Sequence, residues 1–336
     1  MSAGGADSKK VVVAALIGNL AIALCKFVAA FLSGSTSTLA EAVHSVADTG
    51  NQALLLLGFG LAMKRDDDRF AFGRASEQYF WPFVVALMLF SVGGTFAIFE
   101  GVSHFSVVPK PSVPIDLARY GINVSFSPNL LNYAVLGTSV LFEALSFRVA
   151  FREFRIMAKG RPIREAIFEA RDPTIPLVLA EDTTALLGLT IALAAVILSS
   201  VTGHHEWDAI GSIVIGILLC VVATVLARIT HGLLIGKAAT IDDQAQVLEI
   251  AEKSEGFERV TQLLTMHLGP DFVIVAMKVA FNPNYKVNEI ENATNEMEKR
   301  LRAALPHMKK IFVEPDSEGD GRGLAAAREL LAKKTG

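Results

Sequence analysis

Six stretches of this chain are each long and apolar enough to cross a hydrocarbon layer, at approximate limits 11–33, 37–63, 78–105, 128–151, 174–201 and 208–234. A crossing takes about 20 residues of helix. The composition agrees with a membrane protein: 52% of the 336 residues are hydrophobic and the mean hydropathy is +0.44.

Lysine and arginine gather in alternate connections. Arg148, Arg152, Arg155, Lys159, Arg161, Arg164 and Arg171 crowd the link between the fourth and fifth stretches, and Lys64, Arg65, Arg69 and Arg74 lie between the second and third. The turns around Gly34 and His204 have none, and the 106–127 loop has only Lys110 and Arg119. The positive-inside rule then puts both termini in the cytoplasm, in agreement with an even span count. Residues 1–10 form a small polar segment on that side. The apolar run after it lacks a small-residue cleavage site and reads as a retained first span. No Arg- and Ser-rich transit segment precedes it, which favours a bacterial inner membrane over an organelle.

Other classes are disfavoured. A net charge of −3 without basic clusters between aromatics argues against nucleic acid. Cys25 and Cys220 both fall in apolar runs and fit buried small hydrophobes better than a disulfide or thiolate site. No nucleophile–base pair stands out, so an enzyme is not expected.

After Gly236 the chain becomes charged and loses its continuous apolarity, so 11–236 is read as the transmembrane domain and 237–315 as a separate cytoplasmic domain. Helical spacing covers Ile241 to Lys253 and Val287 to Leu305. Strand patterns cover Val260 to Leu268, Phe272 to Phe281 and Lys310 to Val313. The order α-β-β-α-β predicts a small α+β domain. Residues 316–336, with an Ala-rich helical pattern at Leu324 to Lys333, are expected to be a flexible tail. The Pro-rich loop at 106–127 alternates at Ile122, Val124 and Phe126, which suggests a short strand or an interfacial segment.

Two polar groups stand inside the apolar runs. In the second, His44 and Asp48 lie one helical turn apart on one face, half of a metal site. In the fifth, Glu181 and Asp182 are adjacent. An ionisable side chain at mid-membrane costs about 2.5–3.5 kcal/mol on insertion scales, so such groups need a functional reason. His44, Asp48 and Asp182 fall at comparable depth. Adjacent helical residues point about 100° apart, so Glu181 and Asp182 cannot face one ion equally. One binds metal while the other shuttles protons or faces a neighbouring helix. Asn19, Lys26, Glu100 and Glu143 are also intramembrane, and pairing or snorkelling is the expectation for them. His267 with Asp271, the outer cluster of His204, His205, Glu206 and Asp208, and Asp66-Asp67-Asp68 could each bind or attract a cation, but the favoured reading is of solvated polar segments.

The second stretch with its Gly50-Asn51-Gln52, the Glu77-Gln-Tyr79-Phe80-Trp81 opening of the third, Phe99-Glu100-Gly101, the Glu181-to-Gly188 segment and Asp208-to-Gly216 together resemble the cation diffusion facilitator family. The likeness runs from about residue 10 to 315 and is strongest to the zinc-transporter-9-like branch. It implies a homodimeric secondary transporter with six transmembrane helices and a metallochaperone-like cytoplasmic domain. Such proteins expel divalent metal in exchange for protons, from a tetrahedral site shared by the second and fifth helices. His44 and Asp48 match the second-helix ligands. In the fifth helix Asp182 matches, but Val178 stands where many members have His or Asp, and Glu181 is the substitute. Phe70, Ala276 and Phe312 occupy positions where relatives often have His, so no family-type zinc cluster is expected in the cytoplasmic domain, whose role would be dimerisation.

The expected ligand set is thus His44, Asp48, Asp182 and Glu181, with no cofactor and with the divalent metal as cargo. Imidazole with carboxylates suits zinc first, and manganese, iron or cobalt after it. The partners implied are the metal, protons, the lipid bilayer and a second copy of the chain. The other function class is a non-transporting, metal-responsive membrane scaffold or regulator, which has no need of charges at bilayer depth.

Overall fold

A computed structural model describes residues 3–33, 36–64, 69–105, 115–116, 125–126, 128–204 and 206–335. The chain forms two compact units, one of Ala3–Leu61 with Phe80–Thr230, the other of Ala62–Tyr79 with His231–Gly336.

The first unit is built from long helices. These are α1 (Ala3–Ser33), α2 (Thr36–Ala62), α3 (Glu77–Met88), α4 (Phe96–His104), α5 (Pro128–Ala158), the short α6 (Ile163–Phe168), α7 (Thr174–Thr202) and α8 (Glu206–Leu234). A π-helical turn, Leu89–Thr95, joins α3 to α4, and Thr95 Oγ1 donates to Phe90 O five residues back. Two-residue strands β1 (Ile115–Asp116) and β2 (Ser125–Phe126) pair antiparallel in the 106–127 loop, where a short strand is expected; Ile122 and Val124 lie outside the described residues.

The helices are apolar on their outer faces. On α1, Ile17, Leu20, Leu24, Val28 and Phe31 are exposed at helical spacing, while Ala15, Ile22, Ala23 and Ala29 are buried. On α8, Ile210, Val214, Ile217, Val221 and Val225 repeat the arrangement. A water-soluble helix turns its apolar stripe inward, so this inversion requires lipid around the unit. Among the described residues four helical segments pass as membrane-crossing by length and apolarity: Ser8–Ala29, Glu77–Ser103, Thr174–Ser199 and Glu206–Leu234. Among the described residues apolarity thus supports four of the six expected spans. The other two expected spans fall on α2, 27 residues long and carrying a polar face, and α5, 31 residues long with an Arg-rich end.

Glycines bring α4 and the π turn close to α8. A Cβ on Gly101 would stand 2.8 Å from Ala209 O, and one on Gly216 would stand 2.8 Å from Gly94 O. Only hydrogen fits in those places. Cys25 and Cys220 are free and half-buried.

The second unit carries α9 (Ile241–Glu252), β3 (Phe257–Gly269), β4 (Phe272–Phe281), α10 (Val287–Ala304), β5 (Met308–Pro315) and α11 (Ala325–Thr335). Helix α8 is closed off by Gly236 just past its end, whose φ of 92° lets Lys237 N reach Gly232 O and Gly236 N reach Leu233 O. Thr240 then caps α9 by accepting from Asp243 N. Strands β3 and β4 form an antiparallel hairpin, α10 crosses over, and β5 returns parallel to β4, giving the order β3-β4-β5. The inward side chains Val273, Val275, Met277 and Val279 of β4 alternate along the strand and pack under Leu248 of α9 and Met297 and Leu301 of α10. This is the expected α-β-β-α-β order with one more helix.

The expectation of a flexible tail from 316 onward is corrected. Leu263 N donates to Arg322 O and Gly321 N to Thr261 O, so the segment after β5 runs back along the β3 edge. Leu324 and Ala327 then enter the core, with Leu330 and Leu331 packed beside them. A strand edge in need of partners and the apolar contacts of Leu324, Ala327, Leu330 and Leu331 dock it.

Candidate metal-transport site

Helix α7 starts against a firm cap. Asp172 Oδ1 accepts from Thr174 N at 2.9 Å, and Ser8 Oγ donates to Asp172 Oδ2 at 2.6 Å. The next two turns are apolar and buried, including Val178, which packs in the cluster of Leu55, Phe59 and Phe154. Val178 is thus a core residue at the offset where the resemblance places a ligand. Glu181 and Asp182 follow, 8% and 2% exposed. The neighbouring hydroxyls turn back on their own helix, Thr183 Oγ1 to Leu179 O and Thr184 Oγ1 to Ala180 O, which satisfies them without partners across the site.

Two other helices supply the partners of this carboxylate pair. From α2, Asn51 Nδ2 donates to Glu181 Oε1 at 3.2 Å and Gln52 Nε2 to Glu181 Oε2 at 2.6 Å. From α5, Ser146 Oγ donates to Asp182 Oδ2 at 2.8 Å. Glu143 lies one turn before Ser146 on the same face of α5, and its charge neighbours are Asp182, Asp48 and Lys26 of α1. Asp48, Asp182 and Glu143 are in turn the charge neighbours of Glu181. Carboxylates from α2, α5 and α7 therefore share one region of the helical unit, opposed by an ammonium from α1. An interior of that charge attracts cations and protons.

The sequence-expected residues meet only in part. Asp48, Glu181 and Asp182 are electrostatic neighbours, but among the described residues no three His, Cys, Asp or Glu side chains converge closely enough to hold one ion. His44 lies in α2 one turn before Asp48, and its side chain lies outside the described residues. Glu181 is engaged by the amides of Asn51 and Gln52. Sequence reasoning missed Ser146, Gln52 and Asn51 as contributors and set Glu143 aside for pairing. Two amides side by side in an apolar helix were the one available signal.

A helical unit with lipid-facing apolar stripes and a buried acidic centre, followed by a small α+β domain, defines an integral membrane protein with a cation-attracting interior. Residues 12–235 match the cation efflux transmembrane domain and residues 240–318 the cation efflux protein cytoplasmic domain. The chain belongs to the cation efflux family, a family of transporters and not of enzymes. It is 30% identical over 316 residues to metal tolerance protein C4 of Arabidopsis thaliana, covering 93% of this chain and 64% of that protein. To the human mitochondrial proton-coupled zinc antiporter SLC30A9 it is 28% identical over 275 residues, covering 81% and 46%. To magnetosome protein MamB of Magnetospirillum gryphiswaldense it is 23% identical over 311 residues, covering 90% and 92%. The chain spans less than two thirds of the length of the first two relatives. These matches support the zinc-transporter-9-like branch, and a homodimer fits the cytoplasmic domain.

Proposed function

We propose that this protein is a secondary carrier that exports a divalent transition metal, zinc first, from the cytoplasm in exchange for protons. The observation that carries the reading is the buried Glu181–Asp182 pair of α7, held by polar groups of α2 and α5 beside Asp48 and Glu143. So much buried negative charge is sustained by a cation or by protons that replace it. We take His44, Asp48 and Asp182 as the metal ligands, with Glu181 beside them. Metal enters when the imidazole is neutral and the carboxylates are ionised, so binding releases protons, and an inward proton gradient reloads the emptied site. Rocking of helices around the site gives access to each side in turn.

In this reading α2 and α5 also cross the bilayer, making six spans, and both termini are cytoplasmic. The membrane is a bacterial inner membrane, and the working unit is a homodimer joined through the cytoplasmic domain. The name of the SLC30A9 relatives, proton-coupled zinc antiporter, supports the coupling and the metal.

The test is flux into proteoliposomes under an imposed pH gradient, comparing zinc, manganese, cobalt and iron, with Asp48→Ala and Asp182→Ala variants. Gradient-dependent flux of zinc that both substitutions abolish is expected. No flux of any metal from a folded dimer overturns the carrier and leaves a metal-responsive scaffold.

A further inference from the structure

The resemblance puts Glu181 among the metal ligands, yet both of its oxygens are occupied by protein. Gln52 Nε2 lies 2.6 Å from Oε2, Asn51 Nδ2 lies 3.2 Å from Oε1, and Gln52, Asn51 and Glu181 are all buried. Where Glu181 is ionised it accepts only, and the nitrogen of each amide then faces it, as the two bonds show. Charge-assisted bonds made in pairs fix direction as well as distance. The two amides come from consecutive residues whose side chains leave α2 about 100° apart, so one carboxylate reaches both only where it lies between them. That sets the rotation of α7 about its own axis. Asp182, a further 100° round, then faces α5, where Ser146 Oγ meets it.

Among the described residues the amides have no other anchor. Asn51 Oδ1 and Gln52 Oε1 are buried and have no hydrogen-bond partner among the described residues. Half-satisfied amides in a buried helix face cost stability, so packing alone gives no reason for them. Holding Glu181 does.

We propose that Asn51 and Gln52 are positioning residues that hold Glu181 as a tether between α2 and α7, so that Asp182 is the carboxylate α7 offers to the cation. This rests on the metal-carrier reading above. The tether sets the geometry of the metal site, and losing it weakens metal capture more than it slows the carrier.

Exchange of the two partners distinguishes a tether from a ligand. In proteoliposomes with zinc as the probe, Gln52→Leu and Glu181→Leu each raise the zinc KM about tenfold with the maximal rate within about threefold of the parent. In the double variant Gln52→Glu with Glu181→Gln, Asn51 still donates to the residue at 181, and the amide at 181 donates to the carboxylate at 52. Both bonds and the net charge survive, so the KM returns to within about threefold of the parent. A double variant as impaired as Glu181→Leu, or unable to form the folded dimer, overturns the tether, as does a Gln52→Leu variant of unchanged KM. Asp182→Asn is measured alongside and abolishes saturable uptake. If uptake survives Asp182→Asn, or the parent carries no zinc, it is the carrier reading that falls.

Discussion

Ser146 on α5 donates its hydroxyl proton to Asp182 on α7 at 2.8 Å, a buried bond between two helices and between residues 36 apart in the chain. It holds the carboxylate through Oδ2. A hydrogen bond to a charged group contributes about 1.5–3 kcal/mol. Ser146→Ala is therefore expected to lower stability by about that amount and to raise the KM for metal, whereas Ser146→Thr keeps the donor and stays near the parent. Thermal unfolding in one detergent, read beside flux, checks both; a Ser146→Ala protein with unchanged melting and KM contradicts the bond.

The glycines between α4 and α8 give a second test. Gly101 faces Ala209 O, where an added Cβ would stand at 2.8 Å, while Gly60 has nothing within 4 Å. Gly101→Ala forces two helix backbones apart and should destabilise by about 1–3 kcal/mol. Gly60→Ala meets open space and gains helix propensity, so it should be neutral or stabilising by up to about 1 kcal/mol. Paired melting curves in the same detergent decide the matter, and equal effects at the two positions exclude the close approach.

The C-terminal segment should behave as part of the domain. Leu324 is 3% exposed in the core of the second unit, so Leu324→Ala is expected to cost about 2–5 kcal/mol. Ending the chain after Pro315 also removes Arg322 O from Leu263 N and bares the β3 edge. Hydrogen exchange of α9 and β3 should then rise in the shortened protein. Rapid proteolytic loss of residues 316–335 from the native protein, with no change in melting, runs against docking.

One half-buried surface pair gives the domain a pH dependence of known sign. The hydrogen bond between Lys278 Nζ and Asp316 Oδ2, 2.7 Å long, raises the lysine above its ordinary range and holds the aspartate below its own. A carboxyl group lowered by folding stabilises above its unfolded pKa, about 3.9, and this contribution is lost as pH falls through the lower folded value. A raised lysine stabilises below its unfolded pKa, about 10.4, and loses this as pH rises through the higher folded value. The melting difference between the parent and Lys278→Met should thus be constant across the neutral range and close on the acid side. A difference that grows on acidification reverses the sign and rules out the pair as its source.

Much of the architecture is legible in the sequence, for local reasons. The apolar runs are set by bilayer thickness and helical rise, and the order of α9, β3, β4, α10 and β5 follows from periods of 3.6 and 2 along short windows. The abrupt change at Gly236 coincides with the end of α8 because a positive φ and a loss of apolarity meet there. His44 and Asp48 share a helix face by spacing alone, and Glu181 with Asp182 stand out as charges in an apolar run. Such features depend on neighbours within a turn or two.

Partnerships across the bundle are of another kind. That Gln52 and Asn51 take Glu181 over 129 and 130 residues, that Ser146 takes Asp182, and that Glu143 joins them depend on how each helix is rotated about its axis. Rotation is set by packing over the whole helix, and one sequence leaves it open by the 100° that separates consecutive side chains. The same holds for the segment after Pro315, whose few apolar residues gain their value only from the β3 edge and α9 beneath them. Sequence alone thus determined four strongly apolar spans, the order of the elements and the polar residues buried at a cost. Tertiary structure decided which of them face one another, because only packing converts a spacing along a helix into a direction in space.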